Sequence, residues 1–413
     1  MEEPRAEGLR LLDPATGTPL SPLRSWLAVA VMLSGTTFVG LVVAAIAPVM
    51  HAIAQHFGQE GQGELVAYGM ATLPSVGVMI GGPITGWAID RVGSRRFLLI
   101  ALAIFGVMGT AGLYLDNLTA LIASRFILGV AASGIVAGTL IMIGEYFDAD
   151  TRARVLGYQG AVGAIVVLGI ILSSGQLADW GGWRAPFALY FAAFVIMAVT
   201  AFAIPPRPPA VARRVAVQAA SPAARQTLFL LWPVLVLVAV LFIGSFMPTL
   251  QVSLLLADNG VLKPSNQSYV LGASAIMVAV GAASYSTVRR YWSDRTMLRM
   301  SAISLGFGIV VMGLSHGFAL VAVGCAISGF GTGLLNPQVN NLLITRAGEA
   351  ARGRAVGLGY TARYAGDFLN PVIVRPIKQE VGIHDAIIIV GAVFLAGAAL
   401  DAVRGKGSEV AKA

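Results

Sequence analysis

The chain has 413 residues, of which 57% are hydrophobic and only 12% charged, with a mean hydropathy of +0.79. So oily a composition excludes an ordinary soluble globular protein. The net charge of +8 raises nucleic-acid binding, but the cations are scattered over seven short segments between apolar stretches and form no single patch, which argues against it.

A bilayer core of roughly 30 Å needs about 20 apolar residues per helix. In chain order the sequence supplies such stretches at 26–50, 65–89, 95–115, 119–145, 153–177 and 186–204, and again at 228–256, 269–290, 297–315, 318–343, 354–376 and 386–402. The alternating pattern of a barrel strand is absent, and open sheet edges cannot sit in lipid, so the spans are helices. The expected fold is an all-α membrane protein with twelve transmembrane helices in two six-helix pseudo-symmetric halves. Glu2 and Glu3 precede no early apolar run, so a cleaved secretory signal is not expected and residues 1–25 read as a cytoplasmic tail. Residues 26–204 form the first half. The segment 205–226, "PPRPPAVARRVAVQAASPAARQ", breaks the apolar pattern and reads as a cytoplasmic linker. Residues 227–403 form the second half and 404–413 a second cytoplasmic tail.

With both termini inside, the inside segments hold 22 of the 28 Lys and Arg residues, and outside segments hold Arg184, Lys263, Arg375 and Lys378. The positive-inside rule therefore favours cytoplasmic termini. Cys325 is the single cysteine and stands in an apolar run. His51, His56, His316 and His384 fall in outside loops or at helix ends without metal-ligand spacing, so neither a metal nor a cofactor is expected.

The halves also look repeated. "LGVAASG" at 128–134 matches "SGFGTGL" at 328–334 through Gly129 and Gly329, and "TRARVLG" at 151–157 matches "ARGRAVG" at 351–357. Both matches use an offset of 200, as expected of parallel repeats with a site at their interface.

Charge is concentrated at one turn, "GWAIDRVGSRR" at 86–96. This stretch resembles the signature of the major facilitator superfamily between helices 2 and 3. "EYFDADTR" after helix 4, "SRFILG" early in helix 4 and "GGWRAPF" at 181–187 extend the resemblance over the whole chain. The resemblance implies a conformational latch of Gly86, Asp90, Arg91, Gly93, Arg95, Arg96, Glu145 and Arg152 on the inside face. Gly86 suits close helix approach and Gly93 a tight turn, while Asp90 sits at a helix C-terminus, where the dipole disfavours an anion. The resemblance implies compensation from around Arg354 and from the Glu145–Arg152 neighbourhood; plain positive-inside anchoring is the alternative. The matching turn at 288–299, "VRRYWSDRTMLR", is degenerate.

Charges inside spans are costly and mark functional candidates. Arg363 and Asp367 lie at i, i+4 on one face of helix 11, with Asp367 roughly 20 Å from the inside end. Arg125 lies about 9 Å from the outer end of helix 4. The Arg363–Asp367 couple reads either as a buried structural pair or as a substrate and proton site, in which Asp367 releases its proton when Arg363 engages an anion. In helix 10, Asn336 and Asn340 share a face beside Pro337, which frees backbone groups that amides can satisfy. By resemblance, helices 1, 4, 7 and 10 line the cavity, which makes Thr36, Thr37, Arg125, Ser245, Gln251, Asn336 and Asn340 lining candidates, joined by Tyr360, Tyr364 and Asn370 from helix 11.

No nucleophile, metal cluster or paired acids support an enzyme. The expectation is a secondary active transporter working as a monomer in a bacterial inner membrane by alternating access, coupled to an ion, the proton, through Asp367. The expected substrate is a small organic anion, because two in-span arginines face one aspartate. A proton-coupled multidrug or sugar efflux transporter is the alternative, weakened by the absence of a Gly-Pro signature in helix 5 and of an acid in helix 1.

Overall fold

The computed structural model describes residues 11, 18–58, 62–205 and 231–410, without the side chains of 83, 86, 87, 90, 149, 150, 153, 348–353 and 403–410. The described chain is almost wholly helical. The first half gives α1 (Pro22–His56), α2 (Gly63–Val92), α3 (Ser94–Leu113), α4 (Leu118–Tyr146), α5 (Ala149–Gly181) and α6 (Ala185–Ala203). The second gives α7 (Trp232–Asp258), α8 (Pro264–Val288), α9 (Asp294–Gly313) and α10 (Phe318–Ala347). Ends agree with the apolar stretches to within a few residues. α1 tightens into a 3-10 turn at Ala47–Val49, where Pro48 lacks a donor for the ladder.

Eleven helices among the described residues are long and apolar enough to cross a membrane, and the last, Arg354–Ala402, has 49 residues, enough for two crossings. Its chain reverses at Gly382, whose φ of 87° is accessible because it lacks a Cβ. A Cβ on Gly366 would meet Ala239 O and Phe242, and a Cβ on Gly244 would meet the Phe394 ring. Two positions that a straight helix would hold about 42 Å apart thus reach neighbouring turns of α7. Residues 354–381 are α11 and residues 383–402 are α12, which makes twelve crossings.

The chain divides into two compact units that do not follow the sequence halves. One comprises Met1–Val42, Gly77–Val167 and Phe187–Ala216; the other comprises Val43–Val76, Leu168–Pro186 and Val217–Ala413. The second unit therefore joins α7–α12 to the end of α1, the start of α2 and the end of α5. Ser174 Oγ on α5 donates to Ala45 O on α1 at 2.6 Å inside this unit.

Matching contacts recur in the two units, at an offset of 200 for those of α3 and α9 and of 204 where α2 meets α4 and α8 meets α10. Arg95 donates to Ile204 O and Ala201 O at 2.5 and 2.9 Å, holding the last turn of α6. Two hundred residues on, Arg295 donates to the carboxylate and carbonyl of Asp401 on α12. A Cβ on Gly106 would meet the Phe194 ring, and one on Gly306 would meet the Cβ of Phe394. Gly77 packs on the backbone of Phe126 and Val130, and Gly281 on that of Phe330 and Leu334. Small residues at these crossings let helix backbones approach without a hydrophobic driving force.

The helix starts carry caps. Asn117 Oδ1 accepts from Ala120 N for α4, and Ser293 Oγ from Thr296 N for α9. Asp148 Oδ1 accepts from Thr151 N ahead of α5, and the Thr151 hydroxyl and N–H hold the Asp148 carboxyl below the usual carboxylate range. Because a Cβ at Gly281 runs into backbone while one at Gly157 meets nothing, Gly281→Leu is expected to cost about 1–3 kcal/mol through overpacking. Thermal unfolding in detergent should show a drop of several degrees for Gly281→Leu and no drop for Gly157→Ala.

Candidate functional site

In the second unit, α2 and α11 run antiparallel and meet through three polar rungs. At the loop end Lys378 Nζ donates to Glu64 Oε1 at 2.6 Å, and these two side chains are 16% and 40% exposed. Deeper, Tyr68 OH donates to Gln251 Oε1 of α7 at 2.7 Å, Gln251 Nε2 donates to Asn370 Oδ1 at 3.1 Å, and Asn370 Nδ2 donates to Ile243 O at 2.9 Å. Deepest, the Ser75 hydroxyl donates to Asp367 Oδ2. Glu64, Tyr68 and Ser75 stand at i, i+4, i+11 on α2, and Asp367, Asn370 and Lys378 at i, i+3, i+11 on α11, so each set shares one helical face. Asp367 and Asn370 are completely buried. Asp367 Oδ1 is buried without a hydrogen-bond partner.

Arg363 does not pair with Asp367, despite their shared face. Its guanidinium turns to α10 and donates to Asn336 O at 2.9 Å and Asn340 Oδ1 at 3.1 Å. The Phe242 and Tyr360 rings lie 4.9 and 5.1 Å from its central carbon, so the charge is held in an aromatic sandwich. Its Nε is buried and unpartnered. Asn336 Nδ2 is bonded back to Thr332 O and not to the carbonyl of residue 333 that Pro337 leaves without its helical donor, so Asn336 serves Arg363 through its carbonyl and not its amide. The cluster offers a cation with a spare donor, two rings and the nearby Tyr364: a surface for an aromatic group bearing an acceptor.

The other expected lining residues go elsewhere. Arg125 is fully buried in the first unit, donating to Met108 O at 2.5 Å and Gly109 O at 3.1 Å, with Phe187 and Tyr190 rings 5.0 and 5.5 Å away. It caps the last turn of α3, where a cation is favoured by the dipole. Thr36 Oγ1 donates to Gln159 O at 3.0 Å on α5, Thr37 Oγ1 is buried without a partner, and Ser245 Oγ bonds back to Leu241 O. Gln251 belongs to the middle rung.

At the charged turn, Gly93 has φ 83° and starts α3 directly after α2. Ser94 Oγ donates to Glu145 Oε2 at 3.1 Å, while Arg95 holds α6 and Arg152 donates to Gly144 O and Phe147 O at the end of α4. Arg91 and Arg96 are exposed. The Gly86 and Asp90 positions lie outside the described side chains, and so does the expected compensation of Asp90. The matching turn in the second half is richer than its sequence indicates. Arg289 lies 3.9 Å from Asp294, Gln338 donates to Asp294, and Arg295 and Arg299 both engage Asp401.

Glu64, Tyr68, Ser75 and Lys378 are missed by a search for charges deep in spans, although the helical spacing of the α2 residues was a usable signal. Phe242 carries no signal, being one apolar residue among many in α7.

Residues 32–371 match the Major Facilitator Superfamily. The chain belongs to that family. Among its relatives, the multidrug efflux pump Tap of Mycolicibacterium fortuitum is 26% identical over 362 residues, 80% of this chain and 84% of the relative. The quinolone resistance protein NorA of Staphylococcus aureus is 24% identical over 332 residues, 76% of this chain and 83% of the relative. A crystal structure of a D-xylose-proton symporter superposes with a TM-score of 0.69 at 16% identity, covering 91% of this chain and 97% of that one, and so shares its fold. The protein is a multi-pass membrane transporter.

For this transporter, Arg125 reads as a cap on α3. Arg125→Ala leaves two helix-end carbonyls unpaired and a cavity between two rings, and is expected to cost about 3 kcal/mol of stability. Arg125→Lys, which keeps the charge but not the fork, should fall between. The check is thermal unfolding alongside transport kinetics: a cap lowers the melting temperature and leaves KM of the lysine variant within twofold, whereas a substrate ligand would raise KM.

Proposed function

We propose that this chain is a proton-coupled exporter of amphipathic organic compounds, working as a monomer by alternating access in a bacterial inner membrane with both termini in the cytoplasm. The observation that carries this reading is Asp367, a completely buried carboxyl group whose one hydrogen-bond donor is Ser75 and whose Oδ1 has none. A carboxylate so placed lacks the donors and the counter-charge that make buried ions tolerable, while a neutral carboxyl group fits. Water reaching Asp367 reverses that balance, so its proton is exchanged as access changes, which is what coupling to a proton gradient requires.

The Arg363 cluster supports the substrate class. A guanidinium already spread over two rings and two α10 oxygens suits a flat aromatic molecule with an acceptor or anionic substituent better than a compact inorganic anion. The names of the two relatives that span most of the chain, a multidrug efflux pump and a quinolone resistance protein, support export of such compounds. This reading sets the small organic anion aside in favour of the alternative, a multidrug exporter, with aromatic carboxylates among its substrates.

The test uses everted membrane vesicles energised with an acid interior, supplied with either a lipophilic aromatic cation or an aromatic zwitterion bearing a carboxylate. Asp367→Asn is expected to reduce gradient-driven accumulation of both at least tenfold while retaining gradient-independent exchange; undiminished driven accumulation would overturn coupling through Asp367. Arg363→Gln is expected to raise KM for the zwitterion at least fivefold more than for the cation. Equal effects would remove Arg363 from the binding surface.

A further inference from the structure

We propose that the α2–α11 pairing is a proton-dependent gate at the loop end of the bundle, with Ser75–Asp367 as its bolt. The inference deepens the reading above and rests on it for the role of Asp367 in coupling. It also assigns Glu64, Tyr68, Ser75 and Lys378 a shared task that neither their sequence context nor the family match specifies.

The argument starts from the order of the rungs. Each rung that lies further along α2 lies further back along α11: Glu64 with Lys378, Tyr68 through Gln251 with Asn370, Ser75 with Asp367. One element comes from the first sequence half and the other from the second, so separating the halves at this end must break all three. The outermost rung is partly exposed, and an ion pair there contributes little. The middle rung is a closed chain of neutral groups that ends on a backbone carbonyl of α7 and has no proton to exchange near neutral pH. The innermost rung places a carboxyl group, Asp367, in complete burial with one of its oxygens unpartnered.

Closing the rungs removes water from Asp367 and offers it one hydroxyl. Opening them restores water to both oxygens. The closed arrangement therefore favours the protonated acid, and the open arrangement the carboxylate. Linkage makes this reciprocal: proton binding favours closure by the same factor that closure favours proton binding. The groups facing Asp367 do not cancel the effect. On its own helix, Arg363 is directed to the α10 oxygens and Tyr364 is a phenol. α2 presents Tyr68 and, at the rim, Glu64 opposite Lys378, with Arg375 near them on α11 and His51 of α1 close enough to interact with both Glu64 and Lys378. The α7 face from Ala239 to Ile243, which packs on Gly366, has no titratable side chain.

The mechanical consequence is ordered. With the loop end open, Asp367 takes a proton, Ser75 engages it and the rungs close. The closed gate then cannot reopen readily until that proton leaves by the other side. This supplies the rule a coupled carrier needs, since a gate indifferent to protonation lets the proton leak.

The experiment measures the gate directly. Spin labels are placed at Leu65→Cys and Val381→Cys, exposed positions near the loop ends of α2 and α11, and distances are read in lipid nanodiscs between pH 5 and 9 without substrate or gradient. The one native cysteine, Cys325, is fully buried and is replaced by Ala. A single short distance at acidic pH is expected, with a second, longer one growing as pH rises, the ratio moving up to tenfold per pH unit. Asp367→Asn should show a mixture weighted to the closed distance whose ratio changes less than twofold between pH 5 and 9. Ser75→Ala should raise the open fraction at acidic pH at least fivefold. Tyr68→Phe should raise it at every pH while keeping the pH dependence. A pH response in Asp367→Asn equal to that of the parent, or a parent distance that ignores pH, overturns the gate. Because this readout needs no transport, loss of driven transport in Asp367→Asn together with a parent gate that ignores pH sinks the gate alone. A pH-sensitive gate with full driven transport in that variant sinks the coupling role alone.

Discussion

The absence of water inside the hydrocarbon layer governs this structure more than any single contact. A polar group there has to find its partner within the protein, and that partner fixes which helices lie side by side. Gln251 and Asn370 bind α2, α7 and α11 together by exchanging donors and acceptors until the chain ends on a carbonyl. Ser174 ties α5 to the bend in α1, and Thr36 ties α1 to α5. Close packing is otherwise weakly directional between apolar helices, so small residues set the distances and polar bonds set the pairing.

Arginine meets the constraint in one recurrent way. Arg95, Arg125 and Arg152 each direct the guanidinium at carbonyls near the end of a helix. Carbonyls in the last turn of a helix lack intrahelical donors, and the helix dipole favours a cation beside them. One side chain thus resolves two problems, its own charge and the helix end. The reuse of Arg95 and Arg295 at matching places in the two halves shows the solution surviving sequence divergence, with Asp401 adding a carboxylate on one side only.

Two buried charges are held differently, and the contrast separates their roles. Arg363 gains rings, a carbonyl and an amide oxygen, which allow it to remain charged whatever the state of the carrier. Asp367 gains one hydroxyl. A carboxyl group so sparsely supported is sensitive to the arrival of water, and in the proposed gate its place between helices of opposite halves ties that sensitivity to their separation.

Much of the fold is legible in the residues alone, because length and hydropathy are physical requirements of a bilayer and act locally on each span. The twelve spans and the charged turn at 86–96 belong to this class, whereas the offset of 200 holds for Arg95 and Arg295 but not for Gly129, whose structural counterpart is Gly333. The exception among the spans, the junction of α11 and α12, is a reversal at one glycine that hydropathy reports only as a gap. The site was legible only as a list. Sequence spacing places Arg363 and Asp367 on one helical face, and in isolation the pair is the economical reading. Tertiary packing separates them, because α10 brings oxygens and α7 brings Phe242 to the arginine while α2 brings Ser75 to the aspartate. Periodicity along one helix states which side chains point the same way. Which helix arrives opposite them, and hence which partner each charge finds, depends on residues hundreds of positions apart and was decided only in three dimensions.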